Sequence, residues 1–434
     1  MKLEDISKHF THDDKGSLHV SQVSVDDIVE QTGSPVFIYD AQTIIDTYTY
    51  LREHLPEQVD IFYATKANPH LAVMTLLKGL GAGMEVASHG ELIRCEKIGA
   101  DPQNIVFAGP SKTNADITKA VEMGIYSINA ESLGELGRIN EIALAHGKKM
   151  PVELRVNPQF EVAGAAVNMG GGSKKFGIDS EQIYGVITQV QKNMPGVELH
   201  GLHIYAGTGI TEQEGFLKNM ANVFEQAQIM NRQFPIKSID IGGGLGIPYS
   251  DGDKPLSIDG ISERMNQLFE QYSFIRENDA RIIIEPGRYI VGQSGIYVST
   301  IEDLKHSRGK DYVLVDGGVH HLLRPPLIGG GGHPVMNISQ LGESLDSVAD
   351  VGGSLCTSID FLGYDIKLPG STARDDLIGT FCSGAYGYTE SMPWFLSHDV
   401  PAEVLVNNGS FDIITPPIKV EEYISNQVVP NYLL

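Results

Sequence analysis

Lys66 is the residue whose position and chemistry are most informative. It follows the apolar stretch Ile61–Thr65, so its stem is expected to be buried and its amine to lie at a strand end. Loss of hydration lowers the pKa of a lysine, and a neutral amine can form a Schiff base with an aldehyde. A structural lysine paired with a carboxylate is the alternative, and Lys66 alone does not decide between them.

Two further segments carry groups that would complement such a lysine. In IGGGLG, Gly242–Gly244 can offer bare backbone N–H groups to a phosphate, although such a run can also be an ordinary turn. In EPGR, Arg288 can bind the same phosphate, and Glu285 can keep a pyridine nitrogen protonated; a Pro-Gly turn with an internal ion pair is the alternative. Together with Lys66, these groups predict pyridoxal 5′-phosphate as the cofactor.

Eight short β-rich stretches alternate with amphipathic stretches in the first two thirds of the chain. Such alternation predicts a parallel sheet, and eight units favour a closed (β/α)8 TIM-like barrel over an open doubly wound sheet. The carboxyl ends of the strands form the working face of a barrel, so the residues that follow them are the candidate site. The β-rich stretches are Ile61–Thr65, Met84–Ala87, Asn104–Ala108, Ile125–Asn129, Val152–Val156, Leu202–Tyr205, Ser238–Ile241 and Arg281–Glu285.

After residue 295 the pattern changes to short β-like runs broken by Gly, Pro and Asp, which predict an antiparallel β domain. Leu18–Val25 is also β-like and is expected to pair with this second domain. The predicted organisation is therefore an N-terminal segment (1–35) that packs on the β domain, a cofactor-binding barrel (36–295) and a C-terminal β domain (296–434).

The composition narrows the classes of function. There are 32 Lys+Arg and 55 Asp+Glu, and the net charge of 32 − 55 = −23 argues against nucleic acid or an anionic membrane as the main partner. The three cysteines, Cys95, Cys356 and Cys382, form neither a disulfide framework nor a zinc pattern. An apolar signal region is missing at the N-terminus, and every apolar run is shorter than the ~18–20 residues of a membrane span. We therefore expect a cytoplasmic protein.

The motifs YATKAN, GGGLG, EPGR, CTSID and GAYG occur in this order between about Pro35 and Ile424. In this the chain resembles the fold-type III pyridoxal-phosphate decarboxylases, which include the diaminopimelate, ornithine and arginine decarboxylases. The resemblance implies an alanine racemase-like fold and amino-acid decarboxylase activity. It also implies a head-to-tail homodimer, in which the β domain of one subunit completes the active site of the other.

The same resemblance assigns roles to single residues. It implies that Lys66 holds the cofactor covalently, and that the thiol of Cys356 of the partner subunit protonates Cα after carbon dioxide leaves. It leaves Cys95 and Cys382 as small buried residues. The implied substrate contacts are Arg288, Thr357 and Tyr386. The implied cofactor contacts are Lys66, Glu85, Arg155, His203, Tyr205, Thr208, Gly243, Gly244, Glu285, Arg288 and Tyr386.

Two departures from the common family pattern concern the substrate. Tyr205, in GLHIYAGT, stands where the HxHxGS pattern has its second histidine. Thr357 follows the cysteine, where ornithine and diaminopimelate decarboxylases have an acid that binds the distal ammonium of the substrate. Without that acid, a cationic substrate loses a charge-assisted contact worth roughly 1.5–3 kcal/mol.

In these two positions the chain resembles a subgroup of the family that acts on modified amino acids. The subgroup includes the butirosin-pathway decarboxylase of a carrier-bound glutamyl group and the decarboxylases of siderophore assembly. The segment 167–179, expected to be a loop over the cofactor, and the adjacent His320 and His321 also resemble that subgroup. Adjacent histidines on a strand are poor joint metal ligands, so we expect a structural or substrate-contact role and no metal.

The sequence thus predicts an L-amino-acid α-decarboxylase that acts on a modified or carrier-linked substrate in secondary-metabolite or siderophore biosynthesis. The alternatives are a diaminopimelate decarboxylase and a non-catalytic homologue that regulates a partner. Glu285 disfavours a racemase, because racemases of this kind usually place an arginine at the pyridine nitrogen.

Overall fold

The structure, a computed structural model, describes residues 1–160, 167–168, 170, 172–250, 252–327 and 332–434. The chain divides into two compact units. The β-rich unit comprises Met1–Ile44, Tyr249–Asp253 and Val291–Leu434, and the barrel unit comprises Ile45–Pro248 and Lys254–Ile290. Among the described residues, none of the helices combines the length and the apolar character needed to cross a bilayer.

The strands and helices of the described residues are numbered in chain order. The strands are β1 (Phe10–His12), β2 (Leu18–Val20), β3 (Val23–Ser24), β4 (Val36–Asp40), β5 (Val59–Ala64), β6 (Gly83–Val86), β7 (Ile105–Phe107), β8 (Ser127–Ala130), β9 (Met150–Asn157), β10 (Val167–Asn168), β11 (Ile178–Asp179), β12 (Val197–His203), β13 (Gly207–Thr208), β14 (Ser238–Asp240), β15 (Arg281–Ile284), β16 (Gly295–Ser307), β17 (Lys310–Val315), β18 (Val335–Asn337), β19 (Ser347–Gly352), β20 (Phe361–Leu368), β21 (Leu377–Phe381), β22 (Ala402–Asn407) and β23 (Ser410–Thr415). The helices are α1 (Leu3–Ile6), α2 (Val25–Thr32), α3 (Ala41–His54), α4 (Leu71–Gly79), α5 (His89–Lys97), α6 (Asn114–Met123), α7 (Leu133–Ala145), α8 (Ile183–Asn193), α9 (Gln213–Asn231), α10 (Ile261–Gln271), α11 (Phe274–Glu277), α12 (Arg288–Val291), α13 (Arg324–Leu327) and α14 (Val420–Ile424). Short 3-10 turns occur at Thr65–Ala67, Pro102–Asn104, Ser180–Gln182, Gly292–Ser294, Tyr388–Glu390, Phe395–Ser397 and Asn431–Leu433.

The barrel unit is a ring of eight parallel strands. The strands β5, β6, β7, β8, β9, β12, β14 and β15 pair in that order, and β15 pairs with β5 to close the ring. Each of the eight stretches predicted from the sequence overlaps one of these strands, so the predicted (β/α)8 barrel is confirmed. The short strand β11 pairs in parallel with the last two residues of β9.

Side chains from several barrel strands pack against one another according to their size. Phe62, Val106 and Ile283, from three barrel strands, form an apolar cluster. A Cβ at Gly83 would lie 2.8 Å from the ring of Phe62, so only glycine leaves room for that ring. The barrel strands and the residue after β15 also carry buried polar side chains, which are Glu85, Asn129, Glu153, His203, Asp240 and Glu285.

Helix α6 illustrates how local sequence fixes the outer elements. The hydroxyl of Thr113 accepts from the backbone N–H of Asp116, and the Asp116 carboxylate accepts from the N–H of Thr113, forming a capping box. Ile117, Ala120 and Val121 form its buried face. Gly124 ends the helix with a left-handed φ of 67°.

The main sheet of the β-rich unit has the order β20-β19-β17-β16-β4-β22-β23, and β21 pairs with both β16 and β18. The sequence predicted an antiparallel domain. Most pairs are antiparallel, but β4 runs parallel to β22 and β17 runs parallel to β19. Parallel neighbours need a long connection, and more than 350 residues separate β4 from β22.

Strand β4 lies in the sheet of the β-rich unit, whereas the sequence predicted that residues 36–295 belong to the barrel. Its five residues, VFIYD, are all buried, and it pairs with β16 and β22. A short apolar run does not reveal which sheet it joins. Nearer the N-terminus, β1, β2 and β3 form a small antiparallel sheet of their own. The N–H of Leu18 donates to the carbonyl oxygen of Ile338 at 3.0 Å, which ties that sheet to the C-terminal chain.

Candidate active site

Lys66 lies in the 3-10 turn that follows β5. The hydroxyl of Thr65 donates to the carbonyl oxygen of Glu85 at 2.8 Å, and the hydroxyl of Tyr63 donates to that of Asn68 at 2.9 Å. These bonds hold the turn on both sides of Lys66, so the backbone from which the amine extends is fixed to the barrel.

The amine of Lys66 contacts a buried carboxylate. Its Nζ lies 2.5 Å from Oε2 of Glu85, and the Lys66 side chain is 42% exposed whereas that of Glu85 is 1% exposed. Burial raises the pKa of Glu85 to about 7, while Lys66 opposes the rise. The structural alternative for Lys66, an ion pair, is therefore present, but the amine also stays accessible to an incoming carbonyl group.

Glu285 lies at the end of β15 in a buried polar cluster. Its Oε2 is 3.3 Å from Nε2 of His203, and the polar atoms of His203, Asp240 and Glu285 lie within 4.8 Å of one another. Burial alone would raise the pKa of Glu285, but contacts with His203, Lys66 and Asp240 outweigh burial and lower it. Burial and the charge of Glu285 raise the pKa of Asp240. Glu285 is therefore the ionised member of the two carboxyl groups.

The glycine loop after β14 has the shape of a phosphate site. Gly244 has a φ of +101°, and a Cβ there would overlap the carbonyl oxygen of Gly207; a Cβ at Gly243 would overlap that of Glu285. The N–H of Ile210 donates to the Gly244 carbonyl at 2.8 Å, so the loop runs beside the segment that carries Thr208. Backbone of this kind lets an anion approach its N–H groups closely.

Three predicted residues lie on the segments that contact this loop or, for Arg288, three positions after Glu285, whose N–H donates to the carbonyl oxygen of Gly242. Arg288 begins α12 and is half-buried, as are Thr208 and Tyr205. A Cβ at Gly242 would lie 2.9 Å from Cδ2 of Tyr205, so the tyrosine ring lies against the loop. The backbone of Val167–Asn168 pairs with Gly207–Thr208. The predicted loop 167–179 thus begins next to Thr208, although its positions 169 and 171 lie outside the described residues.

Arg155, also predicted, is held by a residue that the sequence analysis missed. Its Nη1 donates to Oε1 of Glu131 at 2.7 Å, and its guanidinium lies 4.7 Å from the ring centre of Phe176. Glu131 also accepts from the backbone N–H of Gly177 at 2.9 Å. Glu131 directly follows β8, so examining the fourth strand end would have identified it.

A second buried ion pair, Lys112–Glu135, supports the pair formed by Arg155 and Glu131. Lys112 is 3% exposed, and its Nζ donates to the carbonyl oxygens of Gly109 and Asn129 and to Oε1 of Glu135, each at 2.8 Å. The other carboxylate oxygen of Glu135 accepts from the N–H of Glu131 at 3.1 Å. All three donor positions of the ammonium are used, which makes Lys112 a structural residue.

The remaining predicted residues lie in the β-rich unit. Cys356 is exposed and Thr357 half-buried, in the loop between β19 and β20. Tyr386 is half-buried and has a φ of 55°. Cys382 of this unit and Cys95 of α5 in the barrel unit are buried, and burial raises the pKa of each thiol to about 12.

Arg324, at the start of α13, is a second residue that the sequence analysis missed. Its guanidinium lies 4.9 Å from the ring centre of Tyr249, and its Nε has no hydrogen-bond partner among the described residues. An arginine held over an aromatic ring with a donor to spare can bind an acidic ligand group. Sequence offered no signal for it beyond the residue type.

The barrel residues fit pyridoxal 5′-phosphate. Glu285 Oε1 and Glu85 Oε1 are buried and have no hydrogen-bond partner among the described residues, so each can accept from a bound group. The cup at Gly243 and Gly244 is closed to any side chain larger than hydrogen. An accessible amine, an anion cup and a buried carboxylate are the three groups that this cofactor requires.

Comparison with known proteins agrees with this geometry. Residues 41–292 match the family model described as pyridoxal-dependent decarboxylase, pyridoxal binding domain. The chain is 30% identical to the L-glutamyl-[BtrI acyl-carrier protein] decarboxylase of Niallia circulans, over 95% of this chain and 97% of that protein. It is 33% identical to the diaminopimelate decarboxylase of Aquifex aeolicus, over 92% of this chain and 93% of that protein.

Two solved structures superpose on nearly the whole of this chain. The crystal structure of diaminopimelate decarboxylase from M. jannaschii, in co-complex with L-lysine, superposes with a TM-score of 0.90 at 25% identity, covering 99% of this chain and 100% of that chain. The crystal structure of AQ1208 from Aquifex aeolicus superposes with a TM-score of 0.87 at 30% identity, covering 98% and 100% of the two chains.

Proposed function

The chain belongs to the pyridoxal-dependent decarboxylases, and from this premise we propose that it removes the α-carboxyl group of a modified or carrier-linked L-amino acid. Membership of the family confirms the predicted cofactor, pyridoxal 5′-phosphate, and the predicted carboxy-lyase activity. The substrate, the roles of single residues and the state of assembly are our proposals.

The single observation that carries the assignment of the site is the contact between Lys66 and Glu85. A partly exposed amine lies 2.5 Å from a fully buried carboxyl group whose pKa is raised to about 7. That carboxyl group can take a proton from the lysine and return it near neutral pH. Lys66 is therefore the amine that holds the cofactor.

When bound, pyridoxal 5′-phosphate supplies the electron sink for the pair of electrons left at Cα as carbon dioxide departs. Glu285 would offer its unpartnered Oε1 to the pyridine nitrogen and keep a proton there. Gly243, Gly244, Thr208 and Arg288 would hold the phosphate. The bond from Arg155 to Glu131 fixes the guanidinium, which would contact the cofactor from the end of β9.

We further propose that Cys356 of the partner subunit supplies the proton to Cα, and that the protein acts as a homodimer in the cytoplasm. The exposure of Cys356 supports this role, because a proton donor must reach a substrate outside its own loop. Tyr386 and Thr357 would contact the cofactor or substrate from the same unit.

Two features support a modified substrate. Thr357 offers no negative charge to a distal ammonium, and the similar protein from Niallia circulans bears the name of a decarboxylase of a carrier-linked glutamyl group. A diaminopimelate decarboxylase is the second candidate, supported by 33% identity to the Aquifex aeolicus protein.

Cofactor attachment is tested with Lys66→Ala. Borohydride reduction of the wild type should fix the cofactor on the peptide that contains Lys66, and the variant should lose both this adduct and decarboxylation. Lys192→Ala, on the exposed side of α8, is the matched control and should keep both. An adduct on another lysine of the wild type would refute the assignment.

The substrate is tested by measuring carbon dioxide release from free amino acids, citryl-linked amino acids and glutamyl thioesters. Conversion of linked substrates at least about tenfold more efficiently than meso-diaminopimelate supports the proposal. Efficient turnover of meso-diaminopimelate with no use of linked substrates would establish the second candidate instead.

A further inference from the structure

Asp360 is a buried acid that the proposed mechanism does not use. It is 3% exposed and stands directly before β20, four positions after Cys356. Both of its carboxylate oxygens accept from the backbone. One accepts from the N–H of Val319 at 2.7 Å, and the other accepts from the N–H of Leu355 at 2.6 Å. A single side chain thus joins two segments that are more than thirty positions apart in the chain.

Two glycines make room for this carboxyl group. A Cβ at Gly318 would lie 2.5 Å from Oδ1 of Asp360, and a Cβ at Gly353 would overlap Oδ2. The N–H of Ser354 donates to the carbonyl oxygen of Gly317 at 2.9 Å, so the two glycine segments lie side by side. The backbone therefore encloses the carboxyl group at a distance that only glycine permits.

The joined segments follow the ends of two neighbouring strands. β17 ends at Val315 and β19 ends at Gly352, and the two strands run parallel. The ladder between them stops at these ends, and the buried N–H groups of Val319 and Leu355 need another acceptor. Asp360 supplies that acceptor to both.

Cys356 lies in the turn that Asp360 anchors. Leu355 directly precedes the cysteine and is 7% exposed. The N–H of Thr357 donates back to the carbonyl oxygen of Leu355 at 2.8 Å, so Cys356 is the middle residue of a three-residue turn. Cys356 itself is exposed. The turn therefore has a fixed base and an exposed tip that carries the thiol.

The base matters because proton transfer depends on distance. A general acid works within hydrogen-bond reach, about 2.6–3.2 Å, of the atom that receives the proton, and a displacement of about 1 Å can slow a reaction on the order of 100-fold. An exposed turn can hold a thiol with such precision only if its ends are fixed. The two bonds to Asp360 fix the end before Cys356 to the sheet.

We propose that Asp360 is a positioning residue, which ties the turn of Cys356 to the segment after β17 and so sets the place from which the thiol donates its proton. The inference rests on the proposed function, since it requires Cys356 to be the proton donor. Asp360 acts through Cys356, and its loss should therefore affect turnover and not the binding of cofactor or substrate.

The test compares Asp360→Asn, Cys356→Ala and the double variant as holoenzymes. The probe is γ-glutamyl-N-acetylcysteamine thioester or meso-diaminopimelate, whichever the wild type converts faster. Asparagine has the size of aspartate but turns an NH2 group toward one of the two backbone donors. Asp360→Asn should lower kcat about tenfold and leave KM and cofactor affinity within about twofold. The double variant should be no slower than Cys356→Ala, because the two residues act as one unit.

Asp350→Asn is the matched control. Asp350 lies in β19, is also 3% exposed and accepts a backbone N–H, that of Asp365, at 2.9 Å. Its other partner is Lys310 of β17, so its bonds lead to neighbouring strands and not to the turn of Cys356. The control should keep its kcat even where its stability falls. An equal loss of kcat in both variants would show a general loosening of the sheet and would overturn the inference.

Amide hydrogen exchange gives a readout that needs no substrate. Asp360→Asn should speed exchange at the N–H groups of Val319 and Leu355 by about tenfold or more and leave exchange in the barrel unchanged. Gly318→Ala, whose Cβ would press on the carboxyl group, should act in the same direction while the acid is kept.

The outcomes separate the two proposals. Unchanged exchange in Asp360→Asn, or a double variant slower than Cys356→Ala, would refute the role of Asp360 while the proposed function stands. Full amine formation by Cys356→Ala would instead refute the proposed role of the cysteine, and with it the reason to position the turn.

Discussion

Glu153 shows how a single buried side chain makes stability depend on pH. It lies on β9, fully buried, and the hydroxyl of Ser238 donates to its carboxyl group. Burial raises the pKa of Glu153 from 4.5 to about 8, although Ser238 opposes the rise. The folded protein therefore binds one more proton than the unfolded chain between these values. The contribution of Glu153 to the free energy of unfolding therefore falls as the pH rises from about 4.5 to about 8, and it is constant at higher pH.

We expect Glu153→Gln to remove this pH dependence. Relative to the wild type, the variant should gain about 1–3 kcal/mol of unfolding free energy at pH 8 and much less at pH 5, measured by urea denaturation. The control is Glu198→Gln, since the pKa of this partly exposed carboxyl is lowered by its bond to Lys237. A gain of equal size at both pH values would contradict the raised pKa of Glu153.

Thr357 is expected to determine which distal group is accepted. Thr357→Glu restores a carboxylate where a cationic substrate would place its ammonium, so kcat/KM for meso-diaminopimelate or ornithine should rise roughly tenfold or more. Ser358→Glu, the same change one position along the exposed loop, should have a much smaller effect. If both variants respond alike, the effect comes from net charge and not from a specific contact.

The sequence allowed part of the site to be predicted at this scale. Lys66, Glu85 and Glu285 could be found because each follows or ends a recognisable barrel strand. Lys112 could not, because its role depends on carbonyl oxygens from two other segments, which only the folded chain brings together. His320 was recognised as a candidate, but both of its ring nitrogens lack partners among the described residues whereas those of His321 have them, a difference that the sequence does not reveal.

At the scale of elements, the glycine loop after β14, which we propose binds the phosphate, leaves little space for change. An alanine at Gly244 would adopt an unfavourable φ of +101° and overlap the carbonyl oxygen of Gly207. We expect Gly244→Ala to cost about 2–4 kcal/mol of stability and to weaken binding of pyridoxal 5′-phosphate, measured by thermal unfolding and by absorbance titration.

The matched control for this loop is Gly185→Ala in α8, where a Cβ meets nothing within 4 Å. It should stabilise the protein by about 0.5–1 kcal/mol, because alanine restricts the unfolded chain. Unchanged cofactor affinity in Gly244→Ala would show that the phosphate lies elsewhere.

The barrel could be predicted because each of its strands has its own apolar run and is followed by a helical pattern with its own stop signal. The sheet of the β-rich unit was harder. Its pairings join segments far apart in the chain, and periodicity reports only local structure. The prediction of an antiparallel domain accordingly missed the parallel pairs β4–β22 and β17–β19.

At the scale of the whole molecule, the proposed sharing of active sites between two subunits predicts complementation between inactive variants. Lys66→Ala and Cys356→Ala should each have very low activity alone. When the two are mixed, dissociated and reassociated, hybrid dimers should contain one intact site, and activity should return to about a quarter of the wild-type value. No recovery, despite exchange of subunits verified by mass spectrometry, would indicate that each chain supplies its own cysteine.

The central place of β4 in its sheet has a consequence for biosynthesis. This strand ends at Asp40, whereas its partner β22 begins at Ala402, so 361 residues lie between them. At a ribosomal rate of ~5–20 residues per second, the apolar segment VFIYD is synthesised roughly 20–70 seconds before β22. We therefore expect nascent chains to be vulnerable to aggregation through this segment. A premature stop codon before residue 402 would leave β4 without its parallel partner even when the barrel unit is complete.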